Sequence, residues 1–189
     1  MKTREELVIP LIKNKSVLDL SNSWGDFKDL INKFAKSYEG VDIEKGTTYT
    51  ADLNEPLNLK KTYEVIVAGE LIEHIENTGI FLENVKKHLN SKGLFFLSTP
   101  NSTSFRFGFY AFFGKEPEYS EHIKYFSKDS LKLILSRYFK VKKIGFCNLT
   151  TNIANQGLIW KIKFRIENGI GNIIPRYSPN LYVICELKK

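Results

Sequence analysis

Residues 63–101 read YEVIVAGELIEHIENTGIFLENVKKHLNSKGLFFLSTPN. Tyr63 to Ala68 is an apolar run of strand length, fed by a lysine-rich turn. Thr78 to Asn90 sets Ile80, Phe81, Leu82, Val85 and Leu89 at helical spacing and predicts an amphipathic helix. Ser91-Lys92-Gly93 is expected to end that helix, with the glycine in the left-handed position after it. Gly93 to Thr99, GLFFLST, is almost wholly apolar. Such a strand is buried on both faces, as in a parallel sheet covered by helices. Strand, helix and buried strand in succession mean an α/β fold.

The same alternation extends in both directions. Upstream, residues 3–14 predict a short helix that Pro10 ends or kinks. Val17 to Leu20 is a buried strand, and Gly25 to Ser37 a helix with Phe27, Leu30, Ile31 and Phe34 on one side. Glu39 to Ile43 and Thr48 to Leu53 are two more strands. Only Glu44 to Thr47 separates them, whereas a crossover between parallel neighbours takes a dozen residues or more. One helix of the wound pattern is therefore expected to be missing. Downstream, residues 101–120 read as irregular and aromatic. Ser127 to Tyr138 predicts a helix with Ser127 as its N-cap. Val141 to Leu149 and Leu181 to Leu187 are the final strands. The long connection between them, an insertion over 155–178, is expected to hold a helix near 156–167.

The chain has 189 residues, 42% apolar and 26% charged. That suits a single soluble domain over 1–189 with a real core. No run of 18 apolar residues is present, and MKTREELVIP lacks the apolar centre of a signal peptide, so a cytoplasmic protein is expected. Cys147 and Cys185 lack metal-ligand spacing and are expected to be reduced and packed. Lys and Arg total 28 against 21 acidic residues, a net charge of +7. This permits an anionic partner, but many lysines fall on solvated helix faces, which explains them without one.

The order VLDL-turn, GVDIE, TADLNEPL, YEVIVAGELIEHI, GLFFLSTPN and later EHIKYFS resembles the class I S-adenosylmethionine-dependent methyltransferases, in the small-molecule group called type 11 or type 12. The resemblance covers about residues 16–149 and loosely the last strand. It implies a Rossmann-like, seven-stranded, mostly parallel sheet with helices on both faces and the last strand antiparallel. It implies S-adenosyl-L-methionine as cofactor and S-adenosyl-L-homocysteine as product. By motif position, Asp19 lies near the cofactor's methionine part, and Asp42 accepts from both ribose hydroxyls. Asp52 accepts from the adenine amino group, Ile43 and Leu53 sandwich the adenine, and Gly69-Glu70 lines the transfer channel. Ligands bind at the carboxyl ends of strands in open α/β sheets, where all of these fall. Aspartates at strand ends also serve as turn formers and caps.

The first loop departs from the family pattern. Ser21 and Ser23 stand where glycines are expected, Gly25 is kept, and Trp24 is bulky. Glycine gives positive φ freely and lets a ligand approach the backbone, so each serine there costs on the order of 1 kcal/mol. Two readings stay open: a divergent loop that still binds the cofactor, or a silent methyltransferase-like module kept as partner or scaffold.

Methyl transfer needs mainly alignment of nucleophile, carbon and sulfur, with a base where the acceptor is a hydroxyl. His74 in GELIEHI and His122 in SEHIKYFS are the candidate catalytic residues. His74 has a structural alternative, pinning its turn with Glu73 as partner. His88, on a lysine-rich helix, is expected to be solvated. No metal spacing appears among histidines and cysteines. The aromatics of 101–120 form either a lid over an acceptor with an apolar part or a helix packed on the sheet. GLIWKIKFRI, 157–166, alternates apolar and basic residues. That pattern argues for a strand, an interfacial segment touching a membrane or dimer partner, or simple cover for the sheet. The acceptor is expected to be a small molecule, a glycan or a lipid-linked intermediate, methylated on oxygen or carbon. Nucleic acid is disfavoured, because AGELIEH stands where the nucleic-acid branches carry an Asn/Asp-Pro-Pro-aromatic run.

Overall fold

In a computed structural model, the described residues are 1–20, 26–115, 121–149 and 158–188, excluding the side chains of Asp26, Leu158, Ile159 and Trp160. Their elements alternate along the chain. They are α1 (Arg4–Ile12), β1 (Ser16–Asp19), α2 (Asp26–Phe34), β2 (Ser37–Asp42), β3 (Tyr49–Thr50), β4 (Tyr63–Gly69) and α3 (Thr78–His88), followed by β5 (Leu89–Pro100), α4 (Phe105–Phe112), α5 (Lys128–Tyr138), β6 (Phe139–Cys147), α6 (Leu158–Ile173) and β7 (Asn180–Leu187). One seven-stranded sheet runs in the order β3-β2-β1-β4-β5-β7-β6. The pairs from β3 to β5 are parallel, and β7 lies antiparallel between β5 and β6. This is the Rossmann-like arrangement that the resemblance implied.

Period-two alternation explains why both faces are covered. On β4, Ile66 and Ala68 join one apolar cluster with Phe81, Leu82 and Val85 of α3 and Leu131 and Leu135 of α5. Val65 and Val67 point the other way, to Val8 and Ile12 of α1 and Phe27 and Ile31 of α2. Burying one such aliphatic side chain is worth about 1.5–3 kcal/mol. Thr3 caps α1 in a reciprocal box with Glu6, and Pro10 lies within that helix, which runs two residues past it. Ser127 caps α5 by accepting from the Ser130 amide, as its position in the sequence predicts.

Four local expectations are corrected. The helix after β4 ends at His88 with an extended residue, and β5 starts at Leu89 rather than Gly93. Gly93 is therefore not a left-handed cap. Tyr63 pairs with Leu89 and Val65 with Leu94, so β5 holds extra residues there. A Cβ on Gly93 would lie 2.8 Å from Leu89 Cδ1 and 3.0 Å from the carbonyl oxygens of Asn90 and Glu64, so close strand packing selects the glycine. The strand predicted over Thr48–Leu53 shrinks to Tyr49–Thr50. The helix-free link before it is found, and a polar tie joins these edge strands. Glu39 of β2 accepts from Tyr49 of β3, at 2.9 Å, and from Tyr63 of β4, while Lys61 pairs with its other oxygen. The helix expected near 156–167 is found as α6, and the strand reading of 157–166 gives way to it; among its described side chains the buried positions are Phe164, Glu167 and Gly171, a helical spacing. His88 is 1% exposed rather than solvated. Its Nδ1 donates to the Asn84 carbonyl at 2.7 Å, and its Nε2 accepts from the Leu59 amide at 3.0 Å.

Candidate functional site

The strand ends bring the predicted residues to one rim. A cavity of about 260 Å³ there is lined by Asp42, Ile43, Asp52, Leu53, Glu70 and His74, among others. Asp42 ends β2 and is 7% exposed, with Oδ1 accepting from the Glu44 amide at 3.0 Å. Ile43 beside it is 68% exposed, and Leu53, which also lines the cavity, is buried. Two aliphatic side chains lining one cavity suit the apolar faces of a flat ring. Asp52 Oδ1 accepts from the Asn54 amide at 2.8 Å and from its side chain at 3.0 Å, which fixes the carboxylate at the cavity edge. These acceptor and apolar groups fit the adenosine part of the expected cofactor.

Of the other predicted positions, Asp19 and Gly69 are not among the residues lining the cavity, and Glu70 is. Asp19 ends β1 wholly buried, hydrogen-bonded by the Tyr38 hydroxyl. Burial, then the Asp19 charge and this bond, push the Tyr38 hydroxyl well above the usual tyrosine range. Gly69 backs onto α2, where a Cβ would lie 2.6 Å from the Phe27 ring. Glu70 follows at φ +50°, a left-handed conformation costly for a residue with a side chain. Its Oε1 accepts from Ser98 at 3.0 Å and Asn180 at 2.9 Å, with Arg4 at 3.4 Å. Three elements thus hold the strained residue at the rim. Ser21, Ser23, Trp24 and Gly25 lie outside the described residues.

The turn after β4 carries the second group. His74 Nδ1 donates to the Glu121 carbonyl at 2.9 Å, so its partner is this backbone oxygen rather than Glu73. The amides of Ile123 and Lys124 donate to the Glu73 carbonyl at 3.0 and 3.2 Å. Lys124 Nζ adds bonds to the carbonyls of Ile75 and Glu76 at 2.8 and 2.9 Å. These contacts clamp residues 121–124 onto 73–76 and bring His122 against His74, ring centroids 4.7 Å apart, edge to face. Glu73 is 1% exposed; its Oε2 accepts from Thr99 at 2.8 Å. Burial, and then the charge of Glu70, hold the Glu73 carboxyl well above the usual carboxylate range. Burial and His74 push His122 down, favouring the neutral imidazole. One ligand atom from each of Glu73, His74 and His122 lies within 4.8 Å of the others. Sequence spacing pointed to no such group. His122 comes from a distant segment, and Glu73 was read only as a partner for His74.

The aromatic stretch resolves into α4, none of whose residues is buried. It is anchored to α6 by a two-pronged Arg106–Glu167 pair at 2.5 and 2.6 Å. Phe107 packs edge-on to Tyr125, itself 6.2 Å from the His122 ring, so aromatics continue outward from the histidines. Among the described residues no helix is long and apolar enough to cross a membrane.

Comparison with known proteins follows the same lines. Residues 2–138 match the family described as a methyltransferase domain. A ubiquinone biosynthesis O-methyltransferase of Rickettsia conorii is 38% identical over 55 residues, 29% of this chain and 19% of the relative. One from Pelagibacter ubique is 26% identical over 107 residues, 49% of this chain and 45% of the relative. The chain thus spans less than half the length of these curated relatives. Among solved structures, a SAM-dependent methyltransferase from Archaeoglobus fulgidus aligns with TM-score 0.63 and 19% identity, over 96% of this chain and 93% of that one. The 1,6-didemethyltoxoflavin-N1-methyltransferase of Burkholderia thailandensis, solved with 1,6-didemethyltoxoflavin and S-adenosylhomocysteine bound, aligns with TM-score 0.65 and 10% identity, over 98% and 78%.

Proposed function

Since the chain belongs to the methyltransferase domain family, matched over residues 2–138, we propose that it is an S-adenosylmethionine-dependent enzyme that methylates a hydroxyl oxygen of a small acceptor carrying an apolar, aromatic part. The observation that carries this reading is the group of Glu73, His74 and His122 at the edge of the cavity lined by Asp42 and Asp52. Asp42 holds the ribose hydroxyls, Asp52 the adenine amino group, and Ile43 and Leu53 the ring faces. When bound, the cofactor supplies a methyl group on a sulfonium, already activated for transfer. The protein's task is to align the acceptor oxygen and remove its proton.

The oxygen lone pair forms the new O–CH3 bond as the C–S bond breaks. The bonding pair returns to sulfur, which becomes a neutral thioether. The hydroxyl proton goes to a base of the Glu73–His74–His122 group or, through it, to water. Positioned bases of this kind contribute about 10²–10⁴ in rate. Tyr125 and Phe107, running outward from His122, suit the apolar part of the acceptor. The O-methyltransferase names of the Rickettsia and Pelagibacter relatives support oxygen as the atom methylated.

Calorimetric titration with S-adenosylhomocysteine tests the cofactor assignment, with 1:1 binding expected. Incubation with S-adenosylmethionine and a panel of phenols, catechols, aromatic amines and carbon acids, read by mass spectrometry, tests the acceptor. Methylation only of amines or carbon acids would overturn the hydroxyl reading.

A further inference from the structure

We propose that Asn54 is the positioning residue that makes the cofactor site specific for adenine. It holds the Asp52 carboxylate so that this group accepts from a purine amino group and rejects a purine carbonyl. The proposal rests on the adenine reading of Asp52 given above.

Among the described residues, both hydrogen bonds to the Asp52 carboxylate fall on Oδ1. They come from the Asn54 amide at 2.8 Å and from Asn54 Nδ2 at 3.0 Å. Oδ2 keeps its lone pairs for a ligand. Asp52 is exposed, and an exposed side chain ordinarily exchanges between rotamers. Two donors on one oxygen remove that freedom before the cofactor arrives, which lowers the cost of binding. Asn54 lines the same cavity as Asp52, so the holder stands beside the site as well as behind it.

Asn54 is itself held. Its Oδ1 accepts from the Asn77 amide at 2.9 Å. That bond decides which way the side-chain amide lies: the oxygen meets an N–H, so the NH2 meets the carboxylate. Asn77 is the N-cap of α3, its own side chain accepting from the Ile80 amide. Farther along α3, Asn84 accepts from the Leu57 amide and donates to the Glu55 carbonyl, both at 2.8 Å. His88 accepts from the Leu59 amide at 3.0 Å. The turn that carries Asp52 is thus backed by α3, where a two-residue β3 alone would give it little support.

The consequence is a choice between purines. Adenine offers an amino group, a donor, at the position where hypoxanthine offers a carbonyl, an acceptor. An ionised carboxylate only accepts, so against the carbonyl it meets another acceptor and gains no bond. A carboxylate free to turn would escape that clash. One that Asn54 holds in place cannot, and specificity of this kind comes from the repulsive contact as much as from the attractive one.

The test titrates the full chain calorimetrically with S-adenosylhomocysteine and with S-inosylhomocysteine, its 6-oxo analogue. The wild type is expected to prefer the adenosyl compound by roughly 100-fold. Asn54→Ala removes the side chain. Asn54→Asp keeps the acceptor for the Asn77 amide but turns the donor that faces Asp52 into a second carboxylate oxygen. Asn54 is only partly buried, so both variants are expected to fold, with thermal melts as the check. Each should cut the preference by roughly tenfold, chiefly by weakening the adenosyl compound. A general loosening of the fold would weaken both compounds alike and leave the ratio unchanged. A ratio within about twofold of wild type in either folded variant would overturn the proposal. Asp52→Ala separates this from the reading beneath it. If Asp52→Ala abolishes the preference and the Asn54 variants keep it, the adenine reading stands and the role of Asn54 alone falls. If Asp52→Ala keeps the preference, or the wild type binds neither compound, both fall together.

Discussion

The two groups at the cavity are built in different ways. The proposed cofactor group, Asp42, Ile43, Asp52 and Leu53, comes from one short stretch around the ends of β2 and β3. Each of its side chains is placed by the strand it ends or by the turn beside it. The second group joins His74, which also lines the cavity, to Glu73 and His122, a residue from a separate segment clamped on by backbone hydrogen bonds. The first group is a local property and can be read along the chain. The second exists only once the segment around residue 122 has docked. Substitutions should therefore separate binding from chemistry along this line.

The largest effect is expected on the acceptor side. His122→Ala should lower turnover by about 100-fold or more, in line with the loss of a positioned base, while affinity for S-adenosylhomocysteine stays within twofold. If affinity falls in parallel, the two groups are not separate. Asp42→Ala should do the converse. Losing hydrogen bonds to a charged acceptor, about 1.5–3 kcal/mol, weakens S-adenosylhomocysteine roughly 10- to 100-fold in calorimetry. Unchanged affinity would remove Asp42 from the ribose site.

Gly93→Ala, far from both groups, should cost about 1–3 kcal/mol in denaturant unfolding, because two of the three crowded atoms are backbone carbonyls that cannot swing aside. Glu39 gives a smaller, pH-dependent effect. Its own burial raises its pKa, but the bonds from Lys61, Tyr63 and Tyr49 outweigh this and hold the carboxyl below the usual range. A depressed folded value contributes stability above the unfolded pKa of about 4.3, lost as the pH falls through the folded value. Thermal melts of Glu39→Gln should accordingly decline less steeply than wild type over that acid range. Phe112 is 84% exposed, and Phe112→Ser should leave stability within about 0.5 kcal/mol. A larger loss would mean that α4 is covered in solution.

The alternation of apolar runs determined the α/β class. The short gap that begins at Glu44 marked the missing crossover helix, because no helix fits there. Ser127 announced its cap, and Asp42 its strand end. In all these cases the deciding interactions lie within a few residues of one another. Tertiary structure decided the rest. Gly93 reads as a helix terminator but is fixed by contact with Leu89 and the Glu64 carbonyl on the adjacent strand. His88 reads as solvated, yet Asn84 and Leu59 enclose it. Residues 157–166 alternate like a strand, although the connection is also expected to hold a helix near 156–167; burial of Phe164 and Glu167, with Arg106 of α4 paired to Glu167, belongs to the helix α6 from Leu158. Most of all, the meeting of Glu73 and His74 with His122 carries no spacing signal. Those groups are joined through space by hydrogen bonds between separate segments, and a one-dimensional pattern records only neighbours along the chain.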